Sequence, residues 1–518
     1  MNGWVPLFIL PFFTTLLNAQ IAPSVQWQKC YGGSSYDAIS CVQKTVDGNF
    51  IIAATSESDD GDVSGNHGGE DCWIFLIDSA GNLIWQQCYG GSKDDWASSI
   101  VQTNDGGFVI AGSSSSNDGD VTGNHGLTDF WIFKIDGSGN LEWQKSLGGG
   151  FDDFAYSIQQ TFDSGFIVIG AAGSSSGDVV GNHGAFDYWV VKLNSTGAIE
   201  WQKCLGGSDL DFGYNVRQTP DSGMIVGGYS ISLDGDVTMN HGLTDSWIVR
   251  LDKTGNLVWE KSLGGEDYDA ATDIVVLDDG YIITSIASSL GGNVSGNHGG
   301  DGDYWIVKLD ESGNIVWQRC FGGSGSDKAF STIETSDGDF LVVGYSTSED
   351  GDITINKGFS DGWLIRIDTA GNLIWQKSIG GSDFDYTVFL EQMSSESFII
   401  AGETWSNDGD ISGNHGSGDC LIIKLGTDSA TGIYSFQKSQ LILFPNPVQN
   451  LLTIDLDNQT TNAIIGVFDL QRRNILLPST IINNKAQLNT ESLPNGFYTL
   501  QVTDKYSGKT SVAKFVKQ

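Results

Sequence analysis

The chain has 518 residues, with 26 Lys and Arg against 64 Asp and Glu, which gives a formal net charge of −38. Gly is abundant at 69 residues, and Trp is frequent at 16. Nucleic-acid binding needs a basic surface that neutralises phosphates, so this composition excludes a nucleic-acid-binding protein. A hydrophobic content of 39% with 11% aromatic residues excludes a disordered chain.

An apolar run from Val5 to Leu17 opens the chain, and the small residue Ala19 follows it. This pattern predicts a secretory signal peptide over residues 1–19, cleaved near Ala19 or Ala22. The rest of the sequence contains no apolar stretch of 18 or more residues, so we expect no transmembrane helix. We therefore expect an exported protein, in which disulfides are allowed.

A 58-residue repeat fills residues 24–427. One series of Trp residues recurs at this spacing: Trp27, Trp85, Trp143, Trp201, Trp259, Trp317 and Trp375. A second series has the same period, with Leu421 in its last place: Trp73, Trp131, Trp189, Trp247, Trp305 and Trp363. Such regular spacing indicates one supersecondary unit that packs on copies of itself.

The second unit shows what each copy contains. Strand patterns cover Trp96–Thr103, Phe108–Ser113, Phe130–Ile135 and Leu141–Leu147, and turn residues separate them. A polar loop, residues 116–129, connects the second and third strands. Four short strands without helical periodicity predict an all-β fold built from β-propeller blades.

The two ends of the repeat region are offset. A lone fourth strand, Val25–Tyr31, precedes the first full unit, and the last unit stops after its third strand, Cys420–Leu425. We therefore predict a seven-bladed β-propeller of four-stranded blades, in which the N-terminal strand closes the last blade. Closure removes the open sheet edges that the alternative, a linear solenoid, would expose.

The composition changes after residue 440, and residues 428–440 form the expected linker. Several motifs follow in order: Phe444-Pro445-Asn446-Pro447, Leu452-Thr453-Ile454, Val467-Phe468-Asp469, Leu493-Pro494-Asn495-Gly496-Phe497-Tyr498 and Lys514-Phe515-Val516-Lys517-Gln518. With these motifs, residues 441–518 resemble the C-terminal (type A) sorting domain of type IX secretion system cargo. The resemblance implies an Ig-like β-sandwich, partnership with the type IX secretion machinery, and a secreted or outer cell-surface location.

Charge is divided unevenly between the two regions. The tail holds seven Lys and Arg and five Asp and Glu, which leaves 19 and 59 in residues 1–440 and a net charge there of −40. The repeat places its acidic residues mainly before the first strand, in the long loop and before the third strand. Because the connections from strand two to three and from strand four to the next unit share one face of a propeller, we expect an acidic loop face that binds ligands.

The candidate ligand-face residues are the aspartates that follow each Gly-Gly pair, one in every unit: Asp37, Asp95, Asp153, Asp211, Asp269, Asp327 and Asp385. A second aspartate precedes each third strand: Asp71, Asp129, Asp187, Asp245, Asp303, Asp361 and Asp419. One interpretation is structural, because short carboxylates accept backbone N–H bonds in long loops.

The other interpretation is Ca²⁺ binding, because this cation takes several carboxylate and carbonyl oxygens. The candidate calcium ligands lie in the long loops: Asp60, Asp62, Asn66, Asp118, Asp120, Asn124, Asp234, Asp236, Asp408 and Asp410. The fifth unit has Asn293 in place of one of these aspartates. Both interpretations stay open.

All six histidines of the chain fall in the same loop: His67, His125, His183, His241, His298 and His415, with Lys357 in the remaining unit. One histidine per blade cannot build a zinc site with two histidine ligands. We therefore expect no metal at these histidines.

Sequence patterns for catalysis are few. The Asp78–Trp85 turn is loosely similar to the Asp-box hairpins of sialidase propellers, but the repeat region has only four arginines: Arg217, Arg250, Arg319 and Arg366. A sialidase needs an arginine cluster for the substrate carboxylate. We expect a monomeric binding protein for a glycan or partner protein, and the alternative is a glycan-active hydrolase or lyase.

The cysteines suggest two disulfides. The turn Asp78–Asn82 is centred on Ala80, and in that register Cys72 and Cys88 face each other across a hairpin. The equivalent pair in the last blade is Cys30 with Cys420, which meet only if the ring closes. We predict the bonds Cys72–Cys88 and Cys30–Cys420, with Cys41, Cys204 and Cys320 free.

Overall fold

The computed structural model describes residues 22–394, 397–426, 442–444, 447–455, 463–468, 474–475, 479–482, 485–504 and 510–517. These residues fall into two compact units, Met1–Thr427 and Asp428–Gln518. The predicted signal peptide (residues 1–19) and linker (residues 428–440) lie outside the described residues. Within the described part of the chain, regular structure consists of β-strands, and no helix is long and apolar enough to cross a membrane.

In the part of the first unit that the structure describes, the strands form seven four-stranded antiparallel sheets, which we number one to seven in chain order of their first strands. Each first strand begins at an aspartate of the Gly-Gly series: Asp37–Lys44 (β2), Asp95–Gln102 (β6), Asp153–Gln160 (β10), Asp211–Gln218 (β14), Asp269–Leu277 (β18), Asp327–Glu334 (β22) and Asp385–Ser394 (β26). The second strands follow: Phe50–Ser56 (β3), Phe108–Ser114 (β7), Phe166–Ala172 (β11), Met224–Ser230 (β15), Gly280–Ala287 (β19), Phe340–Ser346 (β23) and Ser397–Thr404 (β27).

Each third strand begins at the other aspartate series: Asp71–Ile77 (β4), Asp129–Ile135 (β8), Asp187–Leu193 (β12), Asp245–Leu251 (β16), Asp303–Leu309 (β20), Asp361–Ile367 (β24) and Asp419–Gly426 (β28). The fourth strands carry the first Trp series: Leu83–Tyr89 (β5), Leu141–Leu147 (β9), Ile199–Leu205 (β13), Leu257–Leu263 (β17), Ile315–Phe321 (β21), Leu373–Ile379 (β25) and, in sheet seven, Ser24–Tyr31 (β1).

The N-terminal strand lies at the edge of the last sheet. β1 pairs antiparallel with β28, from Ser24 opposite Gly426 to Tyr31 opposite Cys420. Sheet seven therefore contains strands from both ends of the repeat region, in the order β1-β28-β27-β26. All-β structure in repeated four-stranded antiparallel sheets is consistent with the blades of a propeller.

The core lies between neighbouring sheets. Second strands and third strands are almost wholly buried, and Trp73, Trp131, Trp189, Trp247, Trp305 and Trp363 are 0% exposed. Buried clusters link each sheet to the next, as when Trp189 of sheet three packs with Val109 and Phe130 of sheet two. One cluster joins Phe50 of sheet one to Ile399 of sheet seven. Burial of apolar area between sheets is the main stabilising contribution.

The described residues of the second unit form two four-stranded antiparallel sheets, β29-β30-β34-β33 and β32-β31-β35-β36. Their strands are Ile442–Phe444 (β29), Leu451–Asp455 (β30), Ala463–Phe468 (β31), Asn474–Ile475 (β32), Ser479–Ile482 (β33), Lys485–Asn489 (β34), Gly496–Asp504 (β35) and Thr510–Lys517 (β36). Leu452, Leu500 and Phe515 are among the side chains that form its core.

The predicted disulfides are wrong. The expected register holds at Ile77 opposite Leu83, but a bulge at Ile84 then places Leu76 opposite Trp85. Cys88 therefore pairs with Trp73, and Cys72 pairs with Tyr89. Since successive side chains point to opposite faces of a strand, the two sulfurs lie on opposite sides of the sheet.

A bulge between Val25 and Trp27 has the same effect in sheet seven. Cys30 lies opposite Leu421, and Cys420 lies opposite Tyr31. All seven cysteines are free. Burial raises the pKa of the Cys30 and Cys88 thiols to about 12, so they stay protonated at neutral pH and behave as small apolar side chains.

Candidate functional site

The aspartates that begin the first strands lie inside the protein, at 0–1% exposure. Asp385 is typical: its Oδ2 accepts a hydrogen bond from the Gly381 N–H at 2.7 Å and from the Ser406 hydroxyl at 2.8 Å, and its Oδ1 accepts from Thr404 at 2.5 Å. These bonds fix the Gly-Gly connection to the loop of the same sheet. This position supports the structural interpretation, and direct contact of these aspartates with a ligand stays a prediction.

The aspartates that begin the third strands bind the histidines. In six sheets the Asp Oδ2 lies 2.5–2.7 Å from the Nδ1 of the histidine in the preceding loop. The same Oδ2 accepts the backbone N–H of that histidine, at 2.9 Å in His183–Asp187. The imidazole is thus held against a buried carboxylate by its Nδ1, while 26–43% of its side chain is exposed.

The histidine also approaches the next sheet. His298 of sheet five has its Nε2 4.0 Å from Asp352 Oδ2 of sheet six. In sheet six Lys357 takes the place of histidine, and its Nζ bonds to Asp410 of sheet seven.

We call these groups of side chains the seam clusters. Each cluster contains a His or Lys, the third-strand Asp of the same sheet, and two side chains of the next sheet. One example is the cluster of His298, Asp303, Asp327 and Asp352.

Burial dominates the electrostatics of the seam clusters. It raises the pKa of Asp153, Asp211, Asp303 and Asp361 to about 6, although hydrogen bonds act in the opposite direction. For His67 and His298, burial opposes the charged form, but the hydrogen bond and charge of the third-strand Asp raise the imidazole pKa overall. Protonation therefore favours the folded arrangement of these clusters.

The candidate calcium ligands are engaged in loop hydrogen bonds. Asp60, Asp118, Asp234 and Asp408 accept the N–H of a serine in the Gly-Gly connection at 2.7–2.8 Å. Asp120, Asp236 and Asp410 accept a glycine N–H at 3.3–3.4 Å. Asn66 and Asn124 bond within their own turns, and the Asp62 N–H donates to Gly32 O at 2.9 Å. No cluster of three or more His, Cys, Asp or Glu placed to hold a metal occurs among the described residues, and Ca²⁺ stays a prediction.

A cavity of about 1650 Å³ is lined by residues from all seven first strands. Its lining includes Arg217 and Asp273, whose side chains form a 3.0 Å ion pair between sheets four and five. It also includes Glu391 of sheet seven, and burial raises the pKa of this carboxyl to about 7. Towards the loop end it continues past Tyr229, Tyr268 and Tyr345.

The sheets differ from one another at this loop end. In each sheet the residue after the first-strand Asp lies opposite a residue near the end of the second strand, and we call these the mouth pairs. The pairs are Ala38–Thr55, Trp96–Ser113, Phe154–Ala171, Phe212–Tyr229, Ala270–Ile286, Lys328–Tyr345 and Tyr386–Glu403. No two pairs contain the same residues, so the sequence repeat does not extend to these positions.

Aromatic side chains of the mouth pairs contact one another both within a sheet and between sheets. Phe212 stacks on Tyr229 with centroids 5.4 Å apart, and Tyr345 lies 4.6 Å from Tyr386 in an edge arrangement. Sequence reasoning missed these residues because it followed the positions that every unit shares. The detectable signal in the sequence was the variation between units, at the position after each first-strand Asp and at the position near the end of the second strand that lies opposite it.

Residues 442–518 match the family model described as a secretion system C-terminal sorting domain. This match confirms the sorting domain predicted from the tail motifs. It supports the assignment of the chain as type IX secretion cargo and implies export to the cell surface or the medium, through interaction with the type IX machinery.

Other similarities of the chain are more distant. The chain is 25% identical to the regulatory protein FlaEY of Caulobacter vibrioides, over 68% of this chain and 42% of that protein, so it spans less than half the length of this curated relative. Puromycin hydrolase matches at 12% identity and a TM-score of 0.43, over 72% of this chain and 51% of that one. PorZ of Porphyromonas gingivalis, a surface component of the type IX secretion system, matches at 10% identity and a TM-score of 0.29, over 93% and 75%. At these scores the structural likenesses support no inference about activity.

Proposed function

We propose that the protein is a secreted or surface-displayed binding protein, in which a closed seven-bladed β-propeller holds a glycan or a partner protein at its loop face. The sorting domain, which we take to be an Ig-like sandwich, directs its export. The observation that carries this proposal is the contrast between the shared seam clusters and the seven different mouth pairs.

Repetition within one chain helps to separate structural residues from ligand contacts. Residues that hold a sheet in place recur in each sheet, whereas a single asymmetric ligand needs different contacts from different sheets. The mouth pairs include five large aromatic or charged residue types, and Tyr229, Lys328 and Tyr345 among them line the cavity of about 1650 Å³. Aromatic faces beside polar groups provide contact area and orientation for a ligand.

A binding screen tests the proposal. The mature full-length protein is applied to a glycan array and to a set of extracellular proteins, with and without Ca²⁺. We expect at least one ligand whose affinity falls about tenfold or more in Tyr229→Ala. The control, Leu257→Ala, changes an exposed side chain of a fourth strand outside the mouth pairs. Equal losses in both variants, or no ligand at all, would overturn the proposal.

Export is tested separately. A chain that lacks residues 443–518 should remain inside the cell envelope while its propeller stays folded, because the sorting domain is a separate compact unit. Limited proteolysis reports the fold, and immunoblotting of the medium and of intact cells reports location. Normal surface display of the truncated chain would contradict the sorting role.

A glycan-active enzyme is the second candidate. It is favoured by Glu391 in the cavity, because a carboxyl with a pKa of about 7 is suited to general acid catalysis at neutral pH. The test is release of reducing ends or unsaturated sugars from surface polysaccharides by the mature protein and by Glu391→Gln. Turnover that is lost in this variant would select the enzyme, and unchanged turnover or none would reject it.

A further inference from the structure

Three aromatic rings meet where sheet seven contacts sheet one. Tyr36, in the connection before β2, stacks on Trp405 with centroids 5.8 Å apart and planes inclined by 27°. Tyr386, at the start of β26, contacts the same indole edge-on at 5.7 Å. All three side chains are partly exposed.

A single carboxyl group belongs to this aromatic group. Glu403 lies opposite Tyr386 in sheet seven, and its Oε2 accepts a hydrogen bond from the Tyr36 hydroxyl at 2.9 Å. Burial raises its pKa to about 7. The six equivalent positions hold no acid: Thr55, Ser113, Ala171, Tyr229, Ile286 and Tyr345. Among the described residues no Lys, Arg or His forms an ion pair with Glu403.

We propose that Tyr36, Tyr386, Trp405 and Glu403 form a subsite for a Lys or Arg side chain of a protein ligand. This inference rests on the proposed binding function and names the class of ligand. A cation is attracted to the faces of Trp and Tyr rings, and a partly desolvated carboxylate at the same place supplies an opposite charge and hydrogen-bond acceptors. The subsite provides both the aromatic rings and the carboxylate.

Further acidic side chains near this subsite favour a basic polypeptide over a small amine as the ligand. In the neighbouring seam, Glu57, Glu70 and Asp94 line a second cavity of about 440 Å³, and Glu70 accepts a hydrogen bond from the Trp96 indole. A basic segment presents several cations along one chain and can reach both places. The net charge of −40 in residues 1–440 attracts such a segment over longer distances.

Proton competition gives the subsite a distinctive signature. A cation binds the ionised form of Glu403, whereas a proton neutralises it. Because the pKa of free Glu403 is about 7, affinity should rise as pH increases from 6 to 8. The rise approaches tenfold per pH unit only well below that pKa. A neutral sugar does not compete with this proton and gives no such pH dependence.

The experiment measures the affinity of the full-length mature protein for octalysine by calorimetry at pH 6, 7 and 8 in constant salt. We expect binding that strengthens with pH. Glu403→Gln keeps the side-chain shape and should weaken binding about tenfold at pH 8 and remove most of the pH dependence. Trp405→Ala should weaken it similarly. The control Glu311→Gln removes one charge from an exposed hairpin turn and should change affinity less than twofold.

Four outcomes would overturn the inference: no binding of octalysine, wild-type affinity in Glu403→Gln, an equal loss in Glu311→Gln, or a chitosan oligosaccharide that binds more tightly than the peptide through the same residues. A ligand from the binding screen that still requires Tyr229 but ignores Glu403 would leave the proposed function standing and reject this subsite alone.

Discussion

The seam clusters and the mouth pairs lie within a few residues of each other on the same strands, yet the first set repeats from sheet to sheet and the second does not. The seam clusters repeat a buried Asp and a His or Lys from sheet to sheet, and the Oδ2 of the third-strand Asp makes the hydrogen bond that joins the two. The mouth pairs range from Ala38–Thr55 to Tyr386–Glu403 and include a cation, an acid and several aromatics. The proposed function therefore assigns stability and recognition to adjacent but separate residues.

If that separation is correct, a buried repeated residue should be the most costly to change. Trp189→Ala should lower the free energy of unfolding by about 3–5 kcal/mol, because it leaves a cavity between sheets two and three. Chemical denaturation of the mature protein measures the loss. A loss below about 1 kcal/mol would show that the sheets do not depend on these contacts.

The pH dependence of stability tests the seam clusters next. The pKa values of Asp153, Asp211, Asp303 and Asp361 are raised to about 6 in the folded state, and those of His67 and His298 are raised above 6.5. A raised folded-state pKa stabilises below the unfolded value and loses its effect as pH rises through the folded value. The free energy of unfolding should therefore fall by about 1–3 kcal/mol between pH 5 and pH 8. Urea titrations that show stability constant or rising over this range would contradict the arrangement.

Lys357 provides a natural control for the histidines. Lys357→His should leave the free energy of unfolding nearly unchanged at pH 5. At pH 8 the same substitution should lower it by about 0.5–1 kcal/mol, because an imidazole no longer carries the positive charge that pairs with Asp410. The measurement is a pair of denaturation curves for each protein. An equal cost at both pH values would mean that Lys357 acts through packing and not through charge.

The mouth should give the smallest change in stability. Tyr386→Ala removes a partly exposed ring, so the free energy of unfolding should fall by less than about 1 kcal/mol, while binding at the mouth is lost. Denaturation and a binding assay on the same preparation report both. A destabilisation as large as that of Trp189→Ala would end the distinction between the two sets of residues.

The sequence allowed the strands to be predicted because their signals are local. The strands predicted for the second unit, such as Phe108–Ser113 and Leu141–Leu147, lie within one residue of Phe108–Ser114 and Leu141–Leu147 in the structure. The cysteine pairing failed because a one-residue bulge at Ile84 reverses which side of the sheet a residue occupies, and turn residues do not reveal it.

The candidate site was harder to predict because it is assembled from distant parts of the chain. Tyr36 and Glu403 are 367 residues apart in sequence, and their contact depends on how sheet seven meets sheet one. No local pattern marks such a pair. Counting shared residues led to the aspartates, whose burial in loop hydrogen bonds became visible only in the structure.

The position of β28 has a mechanical consequence. This strand leads towards the sorting domain, and it lies inside its sheet with β1 on one side and β27 on the other. A pull applied from the C-terminal side of the repeat region therefore acts on a strand that is hydrogen-bonded along both edges, so two ladders must yield together before it detaches. Attachment through the C-terminal side would therefore load the first unit without peeling it apart strand by strand from that end.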